Sequence, residues 1–247
     1  MNDRGWALVT GAGRRIGRVL ALQAARAGYD VLVHARRTED AEETATAVRG
    51  LGRAARTSGG DLADPETPAR LIAAAPAAPT LLVNSASLFQ RDTVADLTAA
   101  GLDGAHAVNL RSPVLLAQAF AAALPADRRG LIVNVIDQKV WRLDPHYFSY
   151  TLSKSALWAA TRTLAQALAP RIRVNGIGPG PTLANIDQTP ETFAAEAAAT
   201  LLAEPVDPAD LARALVYLIE ARAVTGQMIA VDGGQHLAWR TPDAALD

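Results

Sequence analysis

The stretch "ALVTGAGRRIGRVLALQAARAG", residues 7–28, decides the fold. It opens on a short apolar run, turns at Gly11 and Gly13, and continues with leucine and alanine at helical spacing. Such a run suits a strand covered on both faces, and the pattern after it suits a helix lying on the sheet. Gly11 and Gly13 permit a tight turn and close approach of a ligand to the backbone, while Gly17 lets the helix pack against the strand. The free N–H groups that begin such a helix attract phosphate. The third glycine stands one residue later than strict G-x-G-x-x-G spacing requires.

Outward from this unit the same alternation repeats. Strands are expected over 6–9, 31–34, 53–57, 80–83, 130–135, 173–177 and 227–231. Helices are expected over 14–27, 41–48, 67–75, 105–124, 149–168 and 209–221, the last with Asp207 as N-cap and Pro208 at the first helical position. Residues 97–106 and 189–205 read as further surface helices, the second placed to act as a mobile lid after the "GPGPT" turn. Strand–helix alternation with right-handed crossovers defines an α/β fold. The expectation is one Rossmann-type domain over residues 1–247, a doubly wound parallel seven-stranded sheet with helices on both faces. Ligands of such sheets bind beyond the carboxyl ends of the strands.

The bulk composition narrows the function classes. A formal charge of −1 provides no electrostatic attraction to nucleic acid or an anionic membrane. With no cysteine, disulfides, thiolate metal sites and cysteine nucleophiles are excluded. No apolar run is long enough to span a bilayer, and the N-terminus lacks the pattern of a signal peptide, so a cytoplasmic location is the default expectation. His34 reads as a strand residue, and His106, His146 and His236 stand alone, so no metal is expected.

The strand ends carry the chemistry. After the second strand, Arg36 and Arg37, with the Thr38 hydroxyl, favour a 2′-phosphate and hence NADP(H). At the third, Asp61 is placed to bond an adenine amino group and Leu62 to lie against the ring. Tyr150 and Lys154 are four apart on a helical segment and project from one face. An ammonium beside a tyrosine lowers its pKa and makes it a usable proton donor. Asp137 stands at the tip of the fifth strand, close to both.

With "TGAGRRIG", "DL" at 61–62, "NSAS" at 84–87, Asn109 in "VNL", "YTLSK", "RVNGIGPGPT" and "VTGQMIAVDGG" in order, the chain resembles the short-chain dehydrogenase/reductase family over nearly its whole length. The resemblance implies a nicotinamide-dependent reductase with Tyr150 as general acid. Lys154 would bind the nicotinamide ribose and tune the tyrosine, and Asn109 would support the proton relay. Gly11, Arg14, Arg15, Ile16, Gly17, Asn84, Ser85 and Ala86 would meet the cofactor, with Pro179, Gly180 and Thr182 on its nicotinamide side. A homotetramer is implied in the same way.

The departures from the family pattern are more specific. Asp137 stands where a serine is usual, Arg15 and Ser87 where glycine is usual, and Ser85 where an asparagine normally braces the strand ends. "RRIG", "NSASLF", the strand-end aspartate and "DGGQHLAW" look like the pteridine reductase branch, which includes short-chain dihydromonapterin and dihydrofolate reductases. That resemblance implies Phe89 stacked on a pterin, with Arg15 and Ser87 touching both pterin and cofactor phosphates. An ionised aspartate only accepts hydrogen bonds and repels an alkoxide, so it suits an N–H-rich heterocycle better than a simple ketone. Its charge also opposes tyrosinate formation and favours reduction. A protonated Asp137 passing its proton through Tyr150 is the other arrangement. Two further functions stay open on the sequence: reduction of another carbonyl or imine, and a non-catalytic NADP-binding sensor or scaffold.

Overall fold

The computed structural model describes residues 4–239. Seven strands form one sheet: β1 (Trp6–Val9), β2 (Asp30–Ala35), β3 (Ala55–Gly59), β4 (Pro79–Asn84), β5 (Gly130–Val135), β6 (Ile172–Pro179) and β7 (Met228–Val231). Every pairing is parallel, and the order is β3-β2-β1-β4-β5-β6-β7. The direction of winding reverses between β1 and β4, which opens a crevice at their carboxyl ends.

Period-two alternation sorts the apolar side chains into two layers. Ala7, Val9, Val31, Val33, Leu81 and Val83 pack with α1 (Arg15–Arg26), α2 (Glu42–Gly50) and α8 (Pro208–Glu220). Leu8, Leu32, Leu82 and Ile132 face the opposite layer, built with α3 (Thr67–Ala73), α5 (Ser112–Ala123) and α6 (Phe148–Leu168). Both faces are therefore covered, as a parallel sheet requires. Asp207 caps α8 by accepting from the Ala209 N–H at 2.8 Å, and Pro208 opens that helix, as the sequence predicts.

Two elements differ from the sequence reading. The third strand runs over Ala55–Gly59 instead of 53–57, because its bounds follow pairing with β2, from Val31–Ala55 to Ala35–Gly59. Its own residues, "ARTSG", carry little apolar signal. The helices expected over 97–106 and 105–124 form as α4 (Ala99–His106) and α5, but a π-helical segment at Ala107–Arg111 joins them into one run. Such a segment inserts an extra residue in the turn and is frequent at functional sites; here it contains Asn109. Residues 189–205 hold α7 (Pro190–Ala198), started by a capping box between Thr189 and Thr192.

Candidate active site

The glycine turn sits at the end of β1. Gly11 has φ +62°, and a Cβ there would lie 2.7 Å from the Ala86 Cα, so the turn packs directly on the end of β4. A Cβ on Gly17 would lie 2.2 Å from the Gly11 carbonyl oxygen, which keeps α1 pressed to the turn. Arg14 precedes α1 without capping it, and the first turn holds no acidic residue, so its N–H groups are left for an anion. Arg15 adopts φ +54°, a left-handed conformation that explains the family's usual glycine and costs about 1 kcal/mol in another residue. Its guanidinium donates to the Ala184 oxygen at 2.7 Å and the Leu183 oxygen at 3.0 Å, tying the turn to the segment after β6. Ile16 is partly buried against the core.

Beyond β2 the two arginines separate. Arg37 donates to both carboxylate oxygens of Asp40, at 2.7 and 3.1 Å, whereas Arg36 lies 4.0 Å from Asp61. Thr38 packs beside Gly59, where a Cβ would meet its hydroxyl at 2.6 Å. Asp61 is exposed at the tip of β3 and accepts from the Ala63 N–H, while Leu62 is 5% exposed and belongs to the core. An anion-ready helix start and exposed guanidinia beyond β2 fit a dinucleotide carrying an extra phosphate.

Ser85 does not leave the strand ends unbraced. The Thr10 hydroxyl accepts from the Ser85 and Ala86 N–H groups at 3.0 and 3.1 Å, and Asn84 donates to the Asn134 side chain at 2.8 Å. Thr10 was not singled out from the sequence, although its place just before the glycine turn is the signal.

On the far side of the crevice, Tyr150 donates its hydroxyl to Asp137 Oδ2 at 2.7 Å. The other carboxylate oxygen of Asp137 accepts from the Lys139 N–H at 2.8 Å, which fixes the carboxylate toward the tyrosine. Lys154 is buried and donates to the Val135 carbonyl at 2.8 Å, with its nitrogen 5.7 Å from the Tyr150 ring centroid. Ser87 donates to Asn109 Oδ1 at 3.2 Å. The Asn109 amide also receives the Leu88 N–H and donates to the Leu88 oxygen and Ser153 Oγ, so it clamps the β4 loop to α6. Phe89 stacks on Tyr147, with centroids 4.5 Å apart, and lies T-shaped to Tyr150, with centroids 4.7 Å apart. Trp141 is T-shaped to Trp158 and tilts against His236. At the end of β6, the Thr182 hydroxyl donates to the Gly180 oxygen, and a Cβ on Gly180 would lie 2.6 Å from the Asp232 Cα; Pro179 closes that strand.

The electrostatics correct one expectation. Tyr150 is held well above its ordinary pKa, first by burial and then by the Asp137 charge and hydrogen bond, with the Ser87 hydroxyl opposing. The expected lowering by Lys154 does not prevail, because burial dominates, the carboxylate is bonded directly to the hydroxyl, and the ammonium serves a backbone carbonyl. Burial also raises the Asp137 pKa, against hydrogen bonds from Lys139 and Tyr150. Burial lowers Lys154 to about 8, with Asp137 acting the other way.

Lys154 therefore costs stability. The folded state binds its proton less tightly than the unfolded chain does, so the penalty is absent above the unfolded pKa, grows as pH falls, and is complete below about 8. Lys154→Met is expected to raise the melting temperature of the cofactor-free protein at pH 7 by a few degrees, on the order of 1–3 kcal/mol. The gain shrinks as pH rises from 8 toward 10. Differential scanning calorimetry across that range checks both the sign and the trend.

One supporting residue gave no sequence signal. Asp92, on the loop after β4, accepts from the Ser149 N–H at 3.0 Å and from the Ser149 hydroxyl, closing the start of α6 just before Tyr150. Its backbone pairs with Tyr147.

A nucleotide cradle facing a tyrosine–lysine pair across one crevice defines a reductase of the dehydrogenase type. A family profile described as enoyl-(acyl carrier protein) reductase matches residues 11–236. An uncharacterised oxidoreductase of Mycobacterium tuberculosis is 34% identical over 92% of this chain and 90% of its own length. The chain belongs to the short-chain dehydrogenase/reductase family, and it is an oxidoreductase. Among solved structures it is similar to FolM alternative dihydrofolate reductase 1 from Brucella suis, crystallised with NADP. The two are 47% identical with a TM-score of 0.94, covering 99% of this chain and 100% of the other. The Brucella canis protein of the same description, also complexed with NADP, is 47% identical with a TM-score of 0.93 and 98% coverage of each chain. Among the described residues, no helix is long and apolar enough to cross a membrane.

Proposed function

We propose that this chain is an NADPH-dependent reductase of a pteridine, of the dihydropterin or dihydrofolate type. The observation that carries the reading is the Asp137 carboxylate, held 2.7 Å from the Tyr150 hydroxyl beside the Phe89 ring. Likeness to the two FolM proteins supports it. A homotetramer of one-domain subunits is part of the same reading.

NADPH, when bound, supplies a hydride to the ring carbon of a C=N bond. Tyr150 gives its hydroxyl proton to the neighbouring nitrogen, which completes the two-electron reduction. Asp137 keeps that proton on the tyrosine until the nitrogen becomes basic, and then accepts from ring N–H donors. Lys154 would hold the nicotinamide ribose and offset the charge left on Tyr150. Phe89, backed by Tyr147, forms an aromatic wall for a flat ring. Arg15 and Ser87 would complete the contacts to the pterin and the cofactor phosphates.

The direct test is purified protein with NADPH and a panel of dihydrobiopterin, dihydromonapterin, dihydrofolate and simple ketones. Turnover confined to the pteridines is expected; rapid ketone reduction with none of the pteridines reduced sinks the substrate assignment. Cofactor choice has a separate check. Arg36→Ala is expected to weaken NADPH binding about tenfold or more with little effect on NADH, since a guanidinium–phosphate contact contributes roughly 1.5–3 kcal/mol. Arg37→Ala is expected to do less, because Asp40 already occupies its fork. Equal weakening of both cofactors in a fluorescence titration contradicts the 2′-phosphate assignment.

A further inference from the structure

Among the described residues, His34 is a buried titratable ring that the chemistry above does not use. His34 is 2% exposed near the end of β2. Its Nε2 lies 3.0 Å from the Gly60 carbonyl oxygen, and its Nδ1 lies 3.3 Å from the Gly11 nitrogen. A carbonyl can only accept, so Nε2 carries the hydrogen, and Nδ1 is then a lone pair receiving the Gly11 N–H. The backbone of the same residue accepts from the Ala12 N–H at 2.7 Å. His34 thus holds two successive amides of the phosphate turn and, through Gly60, the turn that leads into Asp61.

We infer that His34 is a positioning residue for the dinucleotide: its neutral, Nε2-protonated ring locks the phosphate turn to the adenosine-side turn, and protonation of Nδ1 releases the Gly11 amide and weakens cofactor binding. The inference rests on the cofactor assignment above and is independent of the substrate.

Burial works in the required direction, lowering the His34 pKa, against the Gly60 bond and the Asp61 charge. Asp61, at the β3 tip, is the charged group acting on the ring. The neighbouring strands present uncharged side chains: Ser58 pairs with His34 on β3, and Thr10 follows the Val9–Val33 pair on β1. Protonation would place two donors, Nδ1–H and the Gly11 N–H, against each other.

NADP+ affinity is measured from pH 5 to 8 for the wild type, His34→Asn and His34→Gln. The Asn oxygen falls near the Nδ1 position and keeps an acceptor for Gly11; the Gln amide falls near Nε2 and keeps only the Gly60 bond. His34→Asn, which keeps the Gly11 bond and loses the Gly60 bond, is expected to bind roughly fivefold more weakly than wild type at pH 7.5 and to lack the extra acid weakening that wild type shows. His34→Gln is expected to bind roughly fivefold more weakly at pH 7.5, the worth of one hydrogen bond. Titration of the 2′-phosphate is common to all three proteins and cancels in the comparison. Superimposable pH profiles for wild type and His34→Asn overturn the inference, as does undiminished binding by His34→Gln. Independently of any variant, nitrogen NMR of the wild-type ring is expected to show protonated Nε2 and bare Nδ1 at pH 7; the opposite tautomer overturns it. Failure of wild type to bind NADP+ at pH 7.5 overturns the cofactor assignment and this inference together, whereas normal binding with the opposite tautomer overturns only the latter.

Discussion

Tyr150→Phe is expected to lower kcat by about three orders of magnitude while leaving NADPH affinity within about twofold. General acid catalysis by a positioned side chain contributes roughly 10²–10⁴ in rate. The whole contribution is at stake here because Tyr150 is the hydroxyl that Asp137, Lys154 and Phe89 surround. The substitution keeps the ring that packs against Phe89 and removes only the group that bonds Asp137, so the fold and the aromatic wall remain. Single-turnover oxidation of bound NADPH, with affinity measured separately, separates chemistry from binding. A residual rate within tenfold of wild type means another group delivers the proton, and the assignment of Tyr150 as acid is lost.

The second large effect is at Asp137. Asp137→Ser is expected to cut kcat/KM for a dihydropteridine by about 10²-fold, the combined worth of a charged hydrogen bond to substrate and of correct tyrosine protonation. It also removes the charge that helps hold Tyr150 above its ordinary pKa, so the alkaline limb of the pH–rate profile, where the general acid loses its proton, is expected to move to lower pH. Simple ketones, which gain an oxyanion donor, are expected to react unchanged or faster. The split between substrate classes is the decisive readout, because a variant that is merely damaged loses both. Equal loss on pteridines and ketones removes Asp137 from substrate recognition and returns it to loop capping, a role its bond from the Lys139 N–H already performs.

Much of this site was legible in the linear order of residues, for local reasons. The turn at Gly11 announces itself because glycine is the residue that tolerates φ +62° with a neighbouring backbone 2.7 Å from where a Cβ would stand. Tyr150 and Lys154 share a face because four residues make about one helical turn. Asp207 and Pro208 read as a helix start because capping is a nearest-neighbour effect. The edge strand β3 was misplaced for the complementary reason: its bounds come from its partner.

The alternation of apolar runs, the cradle at the first strand end and the tyrosine–lysine pair were thus determined by sequence alone, since period and propensity depend on residues a few positions apart. Tertiary structure alone decided which distant groups meet: Asp92 at the start of α6, His34 between Gly11 and Gly60, and Arg15 on Leu183 and Ala184. It also decided the sign of the Tyr150 shift, because desolvation and the nearest charge are properties of a packed crevice and have no counterpart along the chain.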